Sequence, residues 1–213
     1  MVKDGAEADV SRETFADIVK SEAEKFGLKL SEEFYEKGSE YLKEMLFWNR
    51  THNLTTITGF REAALLHFAD SLFPATIDGL FFEGSTALDV GTGGGFPGVP
   101  LALLFPKTGF TLLDKARKKI SFINLTSASL GIGNVTGICE NLFAHSKKYD
   151  LIISRAVKVD AEFFECCKKM LNKNGHLCFW FSSIQEPFKD DSLKEIRSYE
   201  LGGIERKTAV YQI

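Results

Sequence analysis

The sequence predicts an α/β fold: an open, mostly parallel sheet of seven strands with helices on both faces, preceded by a helical extension. Two patterns support this fold class. Up to residue 84, apolar side chains recur at helical spacing, whereas from Ser85 onward short apolar runs alternate with helical segments. Such alternation is typical of a parallel sheet. We therefore divide the chain into an N-terminal extension, 1–84, packed on an α/β core, 85–213, within one globular unit.

Three helices are expected in the extension. The first runs from Ser11, as N-cap, to Phe26. The second begins at Ser31, and the third covers about Phe60 to Leu72. The polar stretch Trp48-Asn49-Arg50-Thr51-His52-Asn53-Leu54-Thr55 separates them. It is typical either of a helix end with a capping turn or of a binding segment rich in hydrogen-bonding side chains.

The core is expected to contain five strands and a closing hairpin. The strands are Thr86–Val90, Phe110–Leu113, Val135–Cys139, Asp150–Ser154 and His176–Phe181, and the hairpin turns at Gly202-Gly203. The connecting helices end at Phe105, at Leu130 and, for the helix from Ala161, at Leu171 before Asn174-Gly175. Ligands of open sheets bind beyond the carboxyl ends of the strands. This rule places Asp89, Asp114, Glu140 and Arg155 on one rim.

The overall charge gives no support to nucleic-acid binding. The chain has 26 basic and 29 acidic side chains, a net charge of -3, and 44% hydrophobic residues. Lys115, Arg117, Lys118 and Lys119 form the one notable basic cluster. A cluster of this kind is usually a solvated helix face, and contact with RNA phosphates is the alternative.

The cysteines and the N-terminus point to a cytoplasmic protein. Cys139, Cys166, Cys167 and Cys178 lack metal-ligand spacing, so we expect reduced thiols and no metal site. Residues 1–10 carry acids without an apolar segment, unlike a signal peptide. No run approaches the roughly 20 apolar residues that a membrane span requires.

The turn after the first strand of the core is rich in glycine. Gly91 and Gly93-Gly94-Gly95 place four glycines in five positions, and Pro97 follows where a helix is expected to begin. Glycine accepts positive φ and lets a ligand approach the backbone. The turn therefore predicts a nucleotide-like ligand, and an ordinary turn without a ligand is the less specific explanation.

These glycines fit two different motifs. Gly93-x-Gly95-x-x-Gly98 matches the dinucleotide fingerprint and predicts an NAD(P)-dependent oxidoreductase, with Asp114 as the ribose ligand. Asp89-x-Gly91-x-Gly93-x-Gly95 matches the first motif of class I (Rossmann-like) methyltransferases, which bind S-adenosylmethionine. Because the strand is expected to stop just before Gly91, the second motif is favoured.

The third helix carries a histidine and an aspartate at i, i+3. This spacing puts His67 and Asp70 on one helix face, where the carboxylate would orient the imidazole. Taken alone, such a pair is more often a structural histidine with a satisfied ring than a functional one.

With these segments placed, the chain resembles the RsmG family, also called GidB. Its members are bacterial methyltransferases that modify N7 of one guanine in the decoding region of 16S rRNA. Five blocks in the same order carry the resemblance: Trp48-Asn49 with Asn53-Leu54-Thr55, His67-Phe68-x-Asp70-Ser71, Asp89 to Leu101, Leu112-Leu113-Asp114, and Ser154-Arg155-Ala156. The resemblance implies S-adenosylmethionine as cofactor and 16S rRNA or the small ribosomal subunit as partner. A monomer acting in the cytoplasm is expected.

The resemblance also assigns residues to the site. The cofactor is expected at Asp89, Gly91, Gly93, Phe96, Asp114, Leu142, Phe143 and Arg155, and the guanine pocket at Asn49, Asn53, His67 and Asp70. No acid or base catalyst is assigned, because guanine N7 carries a free lone pair. Two segments depart from the family. Asn141-Leu142-Phe143 stands where members often have Arg, a small residue and Glu, and Ser182-Ser183 stands where members often end the strand with Lys-Gly, so a cation on the substrate side is expected to be missing. These departures leave open the alternative that the chain is an RNA-binding relative without catalytic activity. The NAD(P)-dependent oxidoreductase is the other alternative.

Overall fold

The extension consists of helices that continue into one another with little loop. A computed structural model describes residues 3–213, with side chains from residue 14 onward. The elements of the extension are α1 (Lys3–Lys25), α2 (Glu32–His52), α3 (Phe60–Ala63), a π-helical segment (Ala64–Ala69), α4 (Asp70–Leu72) and a 3₁₀ turn (Phe73–Thr76). Ser31 caps α2, and its hydroxyl accepts a hydrogen bond from the Phe34 N–H at 3.1 Å.

The core follows as alternating strands and helices. Its elements are β1 (Thr86–Val90), α5 (Gly98–Leu104), β2 (Gly109–Asp114), α6 (Arg117–Ser129), β3 (Val135–Cys139), a 3₁₀ turn (Leu142–Ala144), β4 (Tyr149–Ser154), α7 (Ala161–Lys169), β5 (Leu171–Ser182), β6 (Leu193–Leu201) and β7 (Ile204–Gln212).

The strands form one seven-stranded sheet in the order β3-β2-β1-β4-β5-β7-β6. The first five strands of this order are parallel, and β7 is antiparallel to both β5 and β6. The predicted fold class is thus confirmed. Because β7 lies between β5 and β6, Arg206 is opposite Ser182, at the carboxyl end of β5.

Each sheet face packs against its own hydrophobic cluster. Helices of the extension share one cluster with α5, α6 and one face of the sheet, through fully buried residues such as Phe15, Tyr41, Phe68 and Leu112. The opposite face packs on α7 through Phe164 and its neighbours. Since the first cluster contains side chains from both parts of the chain, the extension and the core are joined by a continuous apolar interior.

Two predicted boundaries are wrong. Helix α1 begins at Lys3, so Ser11 lies inside the helix and is not its N-cap. The backbone is already helical from Lys3, without the apolar stripe on which the predicted start at Ser11 relied. The helix from Ala161 ends at Lys169, and the segment expected to end it lies within β5.

That second difference comes from strand pairing. Leu171 pairs with Tyr149 of β4, so residues that local sequence signals predict to end a helix belong to a strand of the sheet. Asn174 is accommodated at a positive φ of 62°. The other strands agree with prediction to within a residue or two, and the hairpin turns at Gly202-Gly203 as predicted. Its two strands, β6 and β7, begin at Leu193 and Ile204, earlier than the predicted starts at Tyr199 and Thr208. Within residues 3–213, helices long and apolar enough to cross a bilayer are absent.

Candidate active site

A cavity of about 410 Å³ opens at the carboxyl edge of the sheet. It is bounded by the glycine-rich turn, the π-helical segment, the chain after β4 and the ends of β5 and β7. The lining residues are Leu54, Thr55, Ile57, Leu66, His67, Asp70, Gly91, Thr92, Gly93, Gly94, Phe96, Arg155, Ala156, Trp180, Phe181, Ser182, Gln185 and Arg206. The glycine turn and the His67 helix therefore face one shared space.

The glycine-rich turn is held from beneath by Asp89. This carboxylate is fully buried, and its Oδ2 accepts hydrogen bonds from the Thr92 hydroxyl at 2.7 Å and the Gly98 N–H at 2.8 Å. Burial raises the pKa of Asp89 to about 6, although both hydrogen bonds favour the ionised form. Asp89 thus braces the backbone of the turn from beneath.

Asp114 ties the same turn to the end of β2. Its Oδ2 accepts from the Gly93 N–H at 3.1 Å, its Oδ1 accepts from the Ala116 N–H at 2.9 Å, and Lys119 Nζ lies 3.6 Å from Oδ2. A carboxylate has four lone-pair sites, so both oxygens can still accept from ribose hydroxyls.

Asp70 is the centre of a buried polar network. It is 1% exposed; Arg155 Nη1 donates to its Oδ2 at 2.8 Å and the Tyr199 hydroxyl donates to its Oδ1 at 2.8 Å. Trp180 Nε1 donates to the Asp70 carbonyl at 3.2 Å, and Arg206 Nε lies 3.9 Å from Oδ1. Burial and the adjacent carboxylate raise the pKa of Tyr199, which keeps its hydroxyl a donor.

His67 interacts with other groups than the sequence suggests. Its Nε2 is 2.9 Å from the Thr55 hydroxyl, and its ring stacks on Phe96 with centroids 4.6 Å apart and planes 12° apart. Asp70 bonds Arg155 and Tyr199 instead, so the expected orientation of the imidazole by Asp70 is wrong. Burial, with the nearby Arg155 cation, lowers the pKa of His67 to about 3. The ring is neutral at physiological pH.

The remaining predicted residues do not line this cavity. Asn49 supports the wall, because its Oδ1 accepts from the Thr55 N–H at 2.9 Å. Asn53 is exposed and ends α2 with a φ of 49°. Leu142 is buried, whereas Phe143 is exposed and lines a second cavity of about 430 Å³ against α7.

Several wall residues were missed from the sequence. Trp180, Gln185 and Arg206 reach the cavity because β5 and β7 are neighbours, which the local sequence does not reveal. Arg206, on the strand paired with β5, places a cation next to Ser182, where the sequence predicts that one is missing.

The residues fit S-adenosylmethionine better than a pyrophosphate. A Cβ built on Gly93 would enter space whose nearest atom, the Gly91 carbonyl oxygen, lies 4.0 Å away, so the turn leaves room for a ligand. The N–H groups of Gly93 and Gly98 already donate to Asp114 and Asp89. Two carboxylates at the turn disfavour a phosphate and suit a cationic ligand with ribose hydroxyls.

Comparison with known proteins agrees with this geometry. Residues 35–187 match the model of the GidB family, described as rRNA small subunit methyltransferase G. The chain belongs to this family. It is 35% identical to ribosomal RNA small subunit methyltransferase G of Francisella philomiragia, over 78% of this chain and 79% of that protein. For the protein of the same name from Clostridium botulinum, the identity is 35% over 85% of this chain and 76% of that one.

Solved structures share the fold. An Aquifex aeolicus S-adenosylmethionine-dependent methyltransferase has a TM-score of 0.56 at 20% identity, covering 71% of this chain and 93% of that one. TrmN from Thermus thermophilus has a TM-score of 0.54 at 16% identity, over 78% of this chain and 53% of that one. This member of the GidB family is an S-adenosylmethionine-dependent methyltransferase, and the oxidoreductase motif is set aside.

Removing the charge of Asp70 tests the buried network. In Asp70→Asn the Arg155 side chain, which is 13% exposed, loses its counter-ion. We expect the free energy of unfolding, measured with urea, to fall by about 3 kcal/mol, since breaking a buried pair leaves an uncompensated charge. The exposed Asp78→Asn is the matched control and should change it by less than about 0.5 kcal/mol. Equal effects would show that Arg155 does not depend on Asp70.

His67 gives the protein a pH-dependent stability. Its folded pKa of about 3 lies below the ordinary 6.5, so between these values the unfolded chain binds a proton that the folded chain does not. Stability is lost as the pH falls. Between pH 7 and 5, we expect wild type to lose about 1 kcal/mol more unfolding free energy than His67→Gln, allowing for partial screening of the ring.

Asp89 acts in the opposite direction but cancels in this comparison. Its folded pKa of about 6 exceeds the ordinary 3.8, so falling pH stabilises wild type and variant alike through this group. Urea titrations of both proteins at each pH supply the measurement. Parallel pH profiles would mean that folded His67 accepts a proton.

Proposed function

We propose that this methyltransferase transfers the methyl group of S-adenosylmethionine to N7 of a guanine in the decoding region of 16S rRNA, by direct in-line displacement. The supporting observation is that the glycine turn and the His67–Phe96 stack line a single cavity. A cofactor methyl group and a substrate base held in that cavity would be adjacent. We further propose that the protein acts as a monomer in the cytoplasm.

The reaction requires positioning rather than proton transfer. Guanine N7 has an available lone pair, and the cofactor when bound supplies an electrophilic methyl group on a sulfonium. A neutral His67 matches this chemistry, because it adds no second positive charge beside a sulfonium. Alignment of the nucleophile, the methyl carbon and the leaving sulfur can supply about 7 kcal/mol or more of the barrier reduction.

The cofactor side is assigned to residues of the core. Asp114 accepts from the ribose hydroxyls, and Gly91 and Gly93 let the ligand approach the backbone. Arg155 uses Nη1 for Asp70 and the Leu66 carbonyl, at 2.8 and 3.1 Å. The guanidinium has five donors, so the others remain for a methionine carboxylate. Asp89 holds the turn, and the chain at Leu142 and Phe143 follows Asp114 on the adenine side.

The substrate side is assigned to flat and polar walls. A looped-out guanine would pack on Phe96 and His67, with Trp180 on the other wall and Arg206 at the lip. Asn49 acts indirectly, since it holds the Thr55 N–H while the Thr55 hydroxyl holds His67. We place Asp70 in this wall, where it positions Arg155, and Asn53 at the helix end that leads into the wall.

Ligand titration and turnover together test the function. We expect calorimetric titration to show binding of S-adenosylhomocysteine and none of NADH. Small subunits lacking the modification should then gain one methyl group at guanine N7, located by nuclease digestion and mass spectrometry. Binding of NADH alone would overturn the motif assignment. Binding of S-adenosylhomocysteine without methylation of subunits or free rRNA would make the chain a non-catalytic relative.

The basic cluster is proposed to contact rRNA phosphates. Lys115, Arg117 and Lys118 are exposed, whereas Lys119 lies near Asp114 and is left unchanged so that the ribose site is kept. Replacing the three exposed cations with Gln should reduce the slope of log affinity against log salt by about 2 to 3. Affinity for S-adenosylhomocysteine should stay the same.

Three exposed lysines elsewhere supply the matched control for that variant. Lys173 of β5, Lys189 in the loop after β5 and Lys194 of β6 are all exposed. Their replacement with Gln makes the same change in net charge and should leave the salt slope near that of wild type. An equal reduction in both triple variants would indicate an effect of net charge and exclude a local contact.

A further inference from the structure

The chain between β3 and β4 is fixed by a row of three polar side chains. His145 Nδ1 lies 2.6 Å from Glu140 Oε2, and His145 Nε2 lies 2.8 Å from the Tyr149 hydroxyl. The imidazole also stacks on the Tyr149 ring, with centroids 5.7 Å apart. The sequence pattern did not single out His145 or Tyr149 for any role.

This row is anchored in the sheet and is largely buried. Tyr149 begins β4 and is 0% exposed, and the His145 side chain is 7% exposed. With a proton on Nδ1, the imidazole donates to Glu140 and its Nε2 accepts from the Tyr149 hydroxyl, so one tautomer satisfies both contacts. The position of Glu140 is therefore set by a strand of the sheet, although it lies in a loop.

The same loop adjoins the proposed ribose ligand. The Glu140 N–H donates to the Asp114 carbonyl at 3.3 Å, and Cys139 pairs with Asp114 across the sheet. Asp114 in turn accepts from the Gly93 N–H in the glycine turn. One hydrogen-bonded path thus runs from the glycine turn to Tyr149.

The short 3₁₀ turn that follows is fixed at both ends. The Asn141 side chain accepts from the Phe143 N–H at 3.0 Å, and the Leu142 carbonyl accepts from the Cys166 thiol of α7 at 3.8 Å. His145 comes directly after this turn. Its two hydrogen bonds therefore hold the far end of the segment that contains Leu142.

We propose that His145 and Tyr149 are positioning residues for the adenine end of the cofactor. They hold Glu140 and the Leu142–Ala144 turn beside Asp114, so that the segment is ordered before the ligand arrives. This proposal rests on the adenine placement given under the proposed function. A segment that is ordered in advance loses less freedom on binding, which increases affinity without affecting the methyl group.

The test compares ligands that share adenosine but differ in the amino-acid part. We expect His145→Ala to weaken binding of S-adenosylhomocysteine and of 5′-methylthioadenosine equally, by about tenfold in calorimetric titration. Tyr149→Phe keeps the ring and removes one hydrogen bond, so about threefold weaker binding of both ligands is expected. In turnover assays, KM for S-adenosylmethionine should rise while kcat at saturation stays unchanged.

A second histidine supplies the control. His176 lies in β5, where it pairs with Leu151 of β4 and Gln212 of β7, and it is not part of the Glu140–His145–Tyr149 row, so His176→Ala should leave both affinities unchanged. If the His145 and Tyr149 variants bind both ligands as wild type does, the proposal fails, even where their melting temperature is lower. Weaker binding of S-adenosylhomocysteine alone would place the segment away from adenine and also refute it.

The outcome for wild type separates this proposal from the function itself. Wild type that binds neither ligand overturns the proposed adenine placement and function. If wild type binds both ligands and the variants bind them with the same affinity as wild type, only the role of His145 and Tyr149 is overturned. Glu140→Gln keeps the size of the side chain and removes its charge. If His145→Ala does not fold, the Tyr149→Phe and Glu140→Gln variants decide the question. Each is expected to lose affinity for both ligands by the same factor.

Discussion

The buried carboxylate of Asp70 joins the helical extension to the sheet. Its side chain bonds Arg155, which follows β4, and Tyr199 of β6, while its carbonyl bonds Trp180 of β5. Arg155 also bonds the Leu66 carbonyl of the π-helical segment. A charge this deeply buried is tolerated because its partners approach from several elements at once. The wall of the cavity that contains His67 and Arg155 depends on this arrangement.

Most charged groups in the site have a partner of opposite charge or a hydrogen-bonded backbone group, so the cavity carries little unbalanced charge. Asp89 and Asp114 occupy N–H groups of the glycine turn, and the main cation of the cavity, Arg155, is paired with Asp70. Burial keeps His67 neutral. The walls therefore select a ligand by shape, stacking and a few directed hydrogen bonds. These interactions suit a positively charged cofactor and a planar base.

Local sequence signals predicted the parts of the site that lie within one strand and its following turn. Asp89, the glycines and Asp114 depend on the βαβ unit, whose strand ends are marked by apolar runs and acids. The actual partners of His67 and Asp70 were not predictable in this way. The i, i+3 argument assumes an α-helix, whereas Ala64–Ala69 is π-helical and has more residues per turn. The side chains consequently meet different partners.

The walls formed by Trp180 and Arg206 depend on strand order. Nothing local in the sequence states that β7 inserts between β5 and β6, so the position of Arg206 beside Ser182 follows only from the assembled sheet. The family resemblance pointed to a missing cation after β5. It could not indicate that a residue from a later strand lies in the same place.

The contacts of Asp70 also bear on how the protein folds. Arg155, Trp180 and Tyr199 are separated from it by 85, 110 and 129 residues along the chain. Contacts between residues so far apart in the chain form late in folding, because the chain must lose the entropy of closing a large loop before the contact can contribute any stabilising free energy. The cavity therefore exists only in the completed topology, with no binding-competent fragment preceding it. A ligand bound there stabilises the native state as a whole, so its affinity is recorded in the cooperative unfolding transition of the entire chain.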